Sequence, residues 1–62
     1  MDPIEFFAKL GYSLDTEEDE RGVFWVNLVH GQQVVARRYG RGDTESAAKR
    51  RAMERWRQEQ IG

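Results

Sequence analysis

The sequence predicts an α+β fold in the order α-β-β-β-α, a three-stranded antiparallel sheet packed against two helices. Three observations carry this expectation. A capped, proline-led start at Asp2-Pro3 opens a short amphipathic segment. Stretches between Tyr12 and Tyr39 alternate apolar with polar residues or are rich in β-branched and aromatic side chains, with glycines between them. The last third is highly charged but places Ala48, Ala52 and Trp56 at helical spacing.

The first helix follows from Asp2 at N-cap, Pro3 at N1 and Glu5 at N3, a capping box in which the missing proline N–H costs nothing. Met1 and Phe6 then occupy the two positions of a hydrophobic staple. The helix should end near Leu10, with Gly11 as its left-handed stop. Phe6, Phe7 and Leu10 share a face suited to packing, which leaves Glu5 and Lys9 outside.

Tyr12, Leu14 and Thr16 alternate with Ser13 and Asp15, the pattern of a strand with one buried face. The run from Glu17 to Gly22 reads as a solvated hairpin turn. Val23 to Val29 makes the second strand and Val34 to Tyr39 the third, with a tight turn at His30-Gly31 or Gly31-Gln32. Strict alternation puts Phe24, Val26, Leu28, Val35, Arg37 and Tyr39 on one face. Val23, Trp25, Asn27, Val29, Val34, Ala36 and Arg38 fall on the other. Both faces are substantially apolar, so a sheet covered by helices on one side should leave apolar surface for a partner.

Gly40 and Gly42 close the third strand, and Thr44 is preferred over Asp43 as N-cap of the last helix. Ala48 and Ala52 let that helix approach the sheet, while Trp56 fills the wider end. Arg50, Glu54 and Arg57 face outward, Arg51 lies to one side, and Glu45 stands four residues before Lys49 in a pairing orientation.

With 62 residues the chain is expected to be a single domain, residues 1–62, near the size at which only roughly 60% of the unfolded surface is buried. It has no cysteine, which excludes disulfides and thiolate metal sites, and its lone histidine, His30, reads as a turn residue. Neither Ser13 nor Ser46 sits in a nucleophile motif, and consecutive acids in a turn do not tune an acid/base pair. No catalytic residue, metal or cofactor is therefore expected. The apolar runs are too short to span a bilayer and the N-terminus lacks a secretory pattern, so the expected setting is cytoplasmic, with no membrane partner. The net charge is only −1, but acids dominate up to Gly22 and bases dominate after it.

The element order, together with Gly40, Gly42, Thr44, Ala48, Lys49 and Ala52, resembles the double-stranded RNA-binding domain. The resemblance spans nearly the whole chain in element order and is concentrated between Gly40 and Ala52 in sequence. It implies a last helix, opening after a Gly-x-Gly-x-Ser/Thr turn, whose N-terminal lysines meet phosphates across the RNA major groove. In this chain Glu45 and Ser46 stand where the leading lysines would be, and the acidic Thr16–Gly22 segment stands where that family inserts a loop into the minor groove. From Leu14 onward the acidic turn, the Phe-Trp-Val strand and the segment after Gly42 are also similar to HicB-type antitoxins, implying a protein partner. That family generally lacks the preceding helix and has a shorter third strand. A third similarity is to arm-binding domains of some phage integrases, which implies Arg37 or Arg38 reading DNA from the sheet.

The functional expectation is a non-enzymatic binding module with weak or divergent binding of double-stranded nucleic acid through Arg41, Lys49 and Arg50, with Arg38 and Lys9 as outlying candidates. The alternative is a protein-interaction or dimerisation domain, antitoxin-like or regulatory, using Trp25, Val23 and Val34. RNA, DNA and protein partners remain open at this level.

Overall fold

The computed structural model describes residues 1–61. It is an α+β fold in which α1 (Pro3–Lys9) is followed by β1 (Ser13–Glu18), β2 (Phe24–His30), β3 (Gln33–Gly42) and α2 (Glu45–Ile61). The strands form one antiparallel sheet in the order β1-β2-β3. Helix α2 packs on β3 and β2, and α1 packs on α2 and β1, so both helices cover the same face.

Helix α1 is built by its ends. The Asp2 carboxylate accepts the Ile4 N–H at 3.1 Å, while Met1 stays largely exposed instead of closing the expected staple. At the other end Gly11 adopts φ +89, and the Gly11 and Tyr12 N–H groups donate to Ala8 and Phe7 at 3.0 and 2.9 Å. That pair of bonds is a Schellman cap, which needs a left-handed residue where glycine stands. The stop turns the chain directly into β1.

The core joins Phe7, Val26, Leu28, Tyr39, Ala48, Ala52 and Met53, with Leu14, Phe24, Ala36 and Trp56 packed around it. Phe7 is fully buried and meets Trp56 edge-on at a centroid distance of 5.9 Å. Burying such a ring is worth about 1.5–3 kcal/mol, a large share of what a chain this short can gather. Close approach of α2 to β3 depends on glycine: a Cβ at Gly40 would meet the Ala48 carbonyl oxygen and come within 2.7 Å of Ala52 Cβ. At Gly42 it would come within 2.5 Å of the Ala48 nitrogen.

Thr44 is the N-cap of α2. Its hydroxyl accepts the Ala47 N–H at 3.1 Å and its carbonyl accepts the Ala48 N–H at 3.0 Å. The far half of α2 is fastened by Arg55, which donates to the Tyr39 carbonyl at 3.3 Å and lies 4.2 Å over the Tyr39 ring. The Tyr39 hydroxyl donates in turn to Glu59, which also pairs with Arg55 at 3.2 Å.

Two strand expectations require correction. Strand β1 continues through Glu17 and Glu18, so the connection is confined to the five residues from Asp19 to Val23, and Val23 precedes the strand it was expected to begin. Strict alternation also fails on β3. Leu28 faces Ala36 and Val26 faces Gly40, which places Arg37, Arg38 and Tyr39 opposite Asn27 alone, and a further shift lies between Leu28 and Val29. These bulges bring Ala36 toward the helices and turn Val35 and Arg37 outward, the reverse of the expected faces. The β2–β3 turn is centred on Gly31 and Gln32, with Gly31 at φ +63. His30 ends β2 and packs against Tyr12, at 5.8 Å between ring centroids.

Candidate nucleic-acid interface

The basic side chains predicted to act together fall into separate places. Lys49 and Arg50 project from the second turn of α2 into a shallow cleft shared with Met1, Asp2 and Ile4 of the α1 start and with Glu45. Arg41 and Arg51 lie on the other side of the same helix end, around Thr44 and Ala47. The first two turns of α2 are thus flanked on both sides by bases. Lys9 is in the last turn of α1, roughly 10 Å along the helix from Pro3, and joins neither group.

Lys49 is half-buried and lines this cleft. The expected pairing with Glu45 does not close, since the one ion pair among the described residues joins Arg55 to Glu59. The ammonium of Lys49 and the guanidinium of Arg50 therefore remain without a carboxylate partner. Asp2, Asp43 and Glu45 lie in the same region and reduce its net positive field.

Arg38 belongs to the sheet face away from the helices. Its guanidinium lies 4.7 Å over the Trp25 ring, and Arg41 lies 5.7 Å from the same ring, so Trp25 is flanked by two cations. The Trp25 indole Nε1–H donates to Asp19 at 3.0 Å. The other Asp19 oxygen accepts the Arg21 and Val23 N–H groups at 2.9 and 3.0 Å, which ties up Val23 in the turn. These bonds, with that from Trp25 foremost, hold the Asp19 carboxyl below its ordinary range. Val34 is 44% exposed at the opposite end of the sheet, apart from Trp25 and Val23.

Asp19 and Asn27 are the two organising residues that alternation did not identify. A signal for Asp19 existed: Asp at the first and Gly at the fourth position, as in Asp19-Glu20-Arg21-Gly22, is favoured in a type I turn, and Gly22 takes φ +80. Asn27 is 3% exposed, yet each end of its amide is satisfied, by Glu17 at 3.1 Å and by the Arg38 N–H at 2.8 Å. It supplies the acceptor that the bulged ladder removes.

No group of three potential metal-ligating side chains clusters among the described residues, and none of their helices is long and apolar enough to cross a membrane. No protein-family model matches the sequence, and comparison with curated proteins and with solved structures finds no match.

Proposed function

We propose that this chain is a non-enzymatic module that binds double-stranded nucleic acid weakly, with the N-terminal half of α2 against the phosphate backbone. The observation that carries this reading is the set Arg41, Lys49, Arg50 and Arg51 flanking a capped helix end, with Lys49 and Arg50 free of carboxylate partners. Cationic side chains and the positive end of a 17-residue helix both favour an anion there. The resemblance to double-stranded RNA-binding domains at Gly40, Gly42, Thr44 and Lys49 supports the same surface.

Affinity on this reading is electrostatic and indifferent to sequence. About three to four phosphate contacts give a slope of about −3 in log affinity against log salt on DNA, a loss of roughly 60-fold between 50 and 200 mM. The acidic β1–β2 turn contributes no phosphate contact and keeps binding weak. Titration with short RNA and DNA duplexes at both salt concentrations tests the proposal. The expected result is salt-sensitive binding; no binding to either duplex at 50 mM salt contradicts it.

A further inference from the structure

The sheet face away from the helices carries opposite charges on its two sides. Asp15 and Glu17 of β1 are on it, because Leu14 and Thr16 alternate with them toward the helices. Arg38 and Arg41 of β3 are on it over Trp25. The ladder aligns these groups into rows: Glu17, Trp25 and Arg41 face one another across the three strands. Asp15 and Asn27 form the next row, to which Arg38 is tied by its backbone N–H, while its guanidinium reaches back over Trp25.

We propose that this face is covered by a second copy of the same chain, stacked face to face about a two-fold axis parallel to the strands. A polyanion would meet the carboxylates of β1, and a polycation would meet the arginines of β3. The fitting partner is itself split in charge along the same line, and a second copy satisfies that requirement by construction. A two-fold axis along the strands exchanges the two edges of the sheet, so β1 of one copy lies over β3 of the other. Glu17 of each copy then stands over Arg41 of the other, next to the Arg38 guanidinium that reaches over Trp25, and Asp15 stands over the β3 bulge that carries Arg38. A two-fold axis across the strands would instead stack β1 on β1 and oppose carboxylates. Trp25 lies on the central strand, so the two half-buried rings meet beside the axis, each flanked by its own Arg38 and Arg41 and bordered by the partner's β1 carboxylates.

A three-stranded face on a chain with 4555 Å² of accessible surface falls at the small end of specific interfaces, below roughly 1,200 Å² in total. The dimer is accordingly weak and salt-sensitive. Lys49, Arg50 and Arg51 are on the helix layer and Arg41 borders both surfaces, so variants at Asp15 and Glu17 separate dimerisation from duplex binding.

Sedimentation equilibrium from about 10 μM to about 1 mM tests the proposal in a range suited to weak association. Wild type should dimerise with rising concentration and less so at high salt. Glu17→Lys and Arg41→Glu should each weaken the dimer by at least about tenfold, since every reversal is repeated about the axis. An equimolar mixture of the two should recover a heterodimer, because both opposed pairs are restored. Glu17 also bonds Asn27, so Asp15→Lys and Arg38→Glu form a second complementary pair that leaves that bond intact. A wild type that stays monomeric to 1 mM overturns the proposal. So do single variants that dimerise like wild type, or mixtures no better associated than their components.

Discussion

The side-chain oxygen of Asn27 accepts the backbone N–H of Arg38 at 2.8 Å, replacing a ladder bond where β3 bulges. This bond lets Arg38 sit at φ +50, a left-handed conformation costly for a residue with a Cβ, while Tyr39 turns back into the core. An orphaned N–H beneath a buried side chain costs about 1–3 kcal/mol. Asn27→Leu should therefore lower unfolding free energy by about that amount in urea titrations, despite adding apolar surface. Unchanged stability would show that the bulge does not depend on the amide.

Gly40 and Gly42 make a second, sharper prediction. The atoms a methyl group would strike include the Ala48 backbone, which cannot rotate away. Gly40→Ala and Gly42→Ala should each cost about 1–3 kcal/mol or more through overpacking of α2 on β3. Gly31→Asn, at an open turn position with nothing within 4 Å of an added Cβ, should cost much less in the same denaturation series. Equal losses at all three would mean that helix approach is not what the two strand glycines provide.

Acid should act on the β1–β2 hairpin through Asp19. Its folded pKa lies below the ordinary value of 3.8, chiefly because the Trp25 indole N–H donates to the charged form. A depressed pKa contributes stability above the unfolded value and loses it as pH falls through the folded one. The Trp25 indole proton resonance should therefore hold its position from pH 7 to near 4 and move only below that. In Asp19→Asn this acid-side movement should disappear. A midpoint at or above 3.8 in wild type would contradict the assigned bond.

At the alkaline end the sign is opposite. Burial, followed by the neighbouring Glu59 carboxylate, pushes the Tyr39 hydroxyl up to about 12. The neutral phenol is favoured in the fold, so its stabilisation is complete below the unfolded pKa near 10 and is lost as pH rises toward 12. Absorbance titration should show a late tyrosine step near pH 12, and Tyr39→Phe should remove it.

Much of this architecture was legible because local chemistry and global pattern agree. Asp2-Pro3, Gly11, Thr44 and the Ala48, Ala52, Trp56 stripe each specify a boundary or a face through contacts within a few residues. The register of β3 was not legible, because it depends on a side chain eleven positions away in sequence, and arginine carries no preference for the left-handed region that Arg38 occupies. The same displacement explains the candidate site. Alternation grouped Arg38 with Trp25 on one face, where it is found, but could not show which face the helices leave open, that Arg38 lies over the ring or that the α2 bases occupy a different layer. Spacing suggested that Glu45 would neutralise Lys49; the helix instead leaves the two unpaired within one cleft.

The central claim is that duplex nucleic acid meets the N-terminal half of α2. The most direct measurement is a map of amide and side-chain resonance changes on adding a duplex of roughly 16 base pairs at low salt, a length that a double-stranded RNA reader can span. On this claim, changes are expected at Arg41, Lys49, Arg50 and Arg51, reversing with added salt and shrinking in Lys49→Glu. Changes confined to Trp25, Arg38 and β1, or no changes at all, would contradict it.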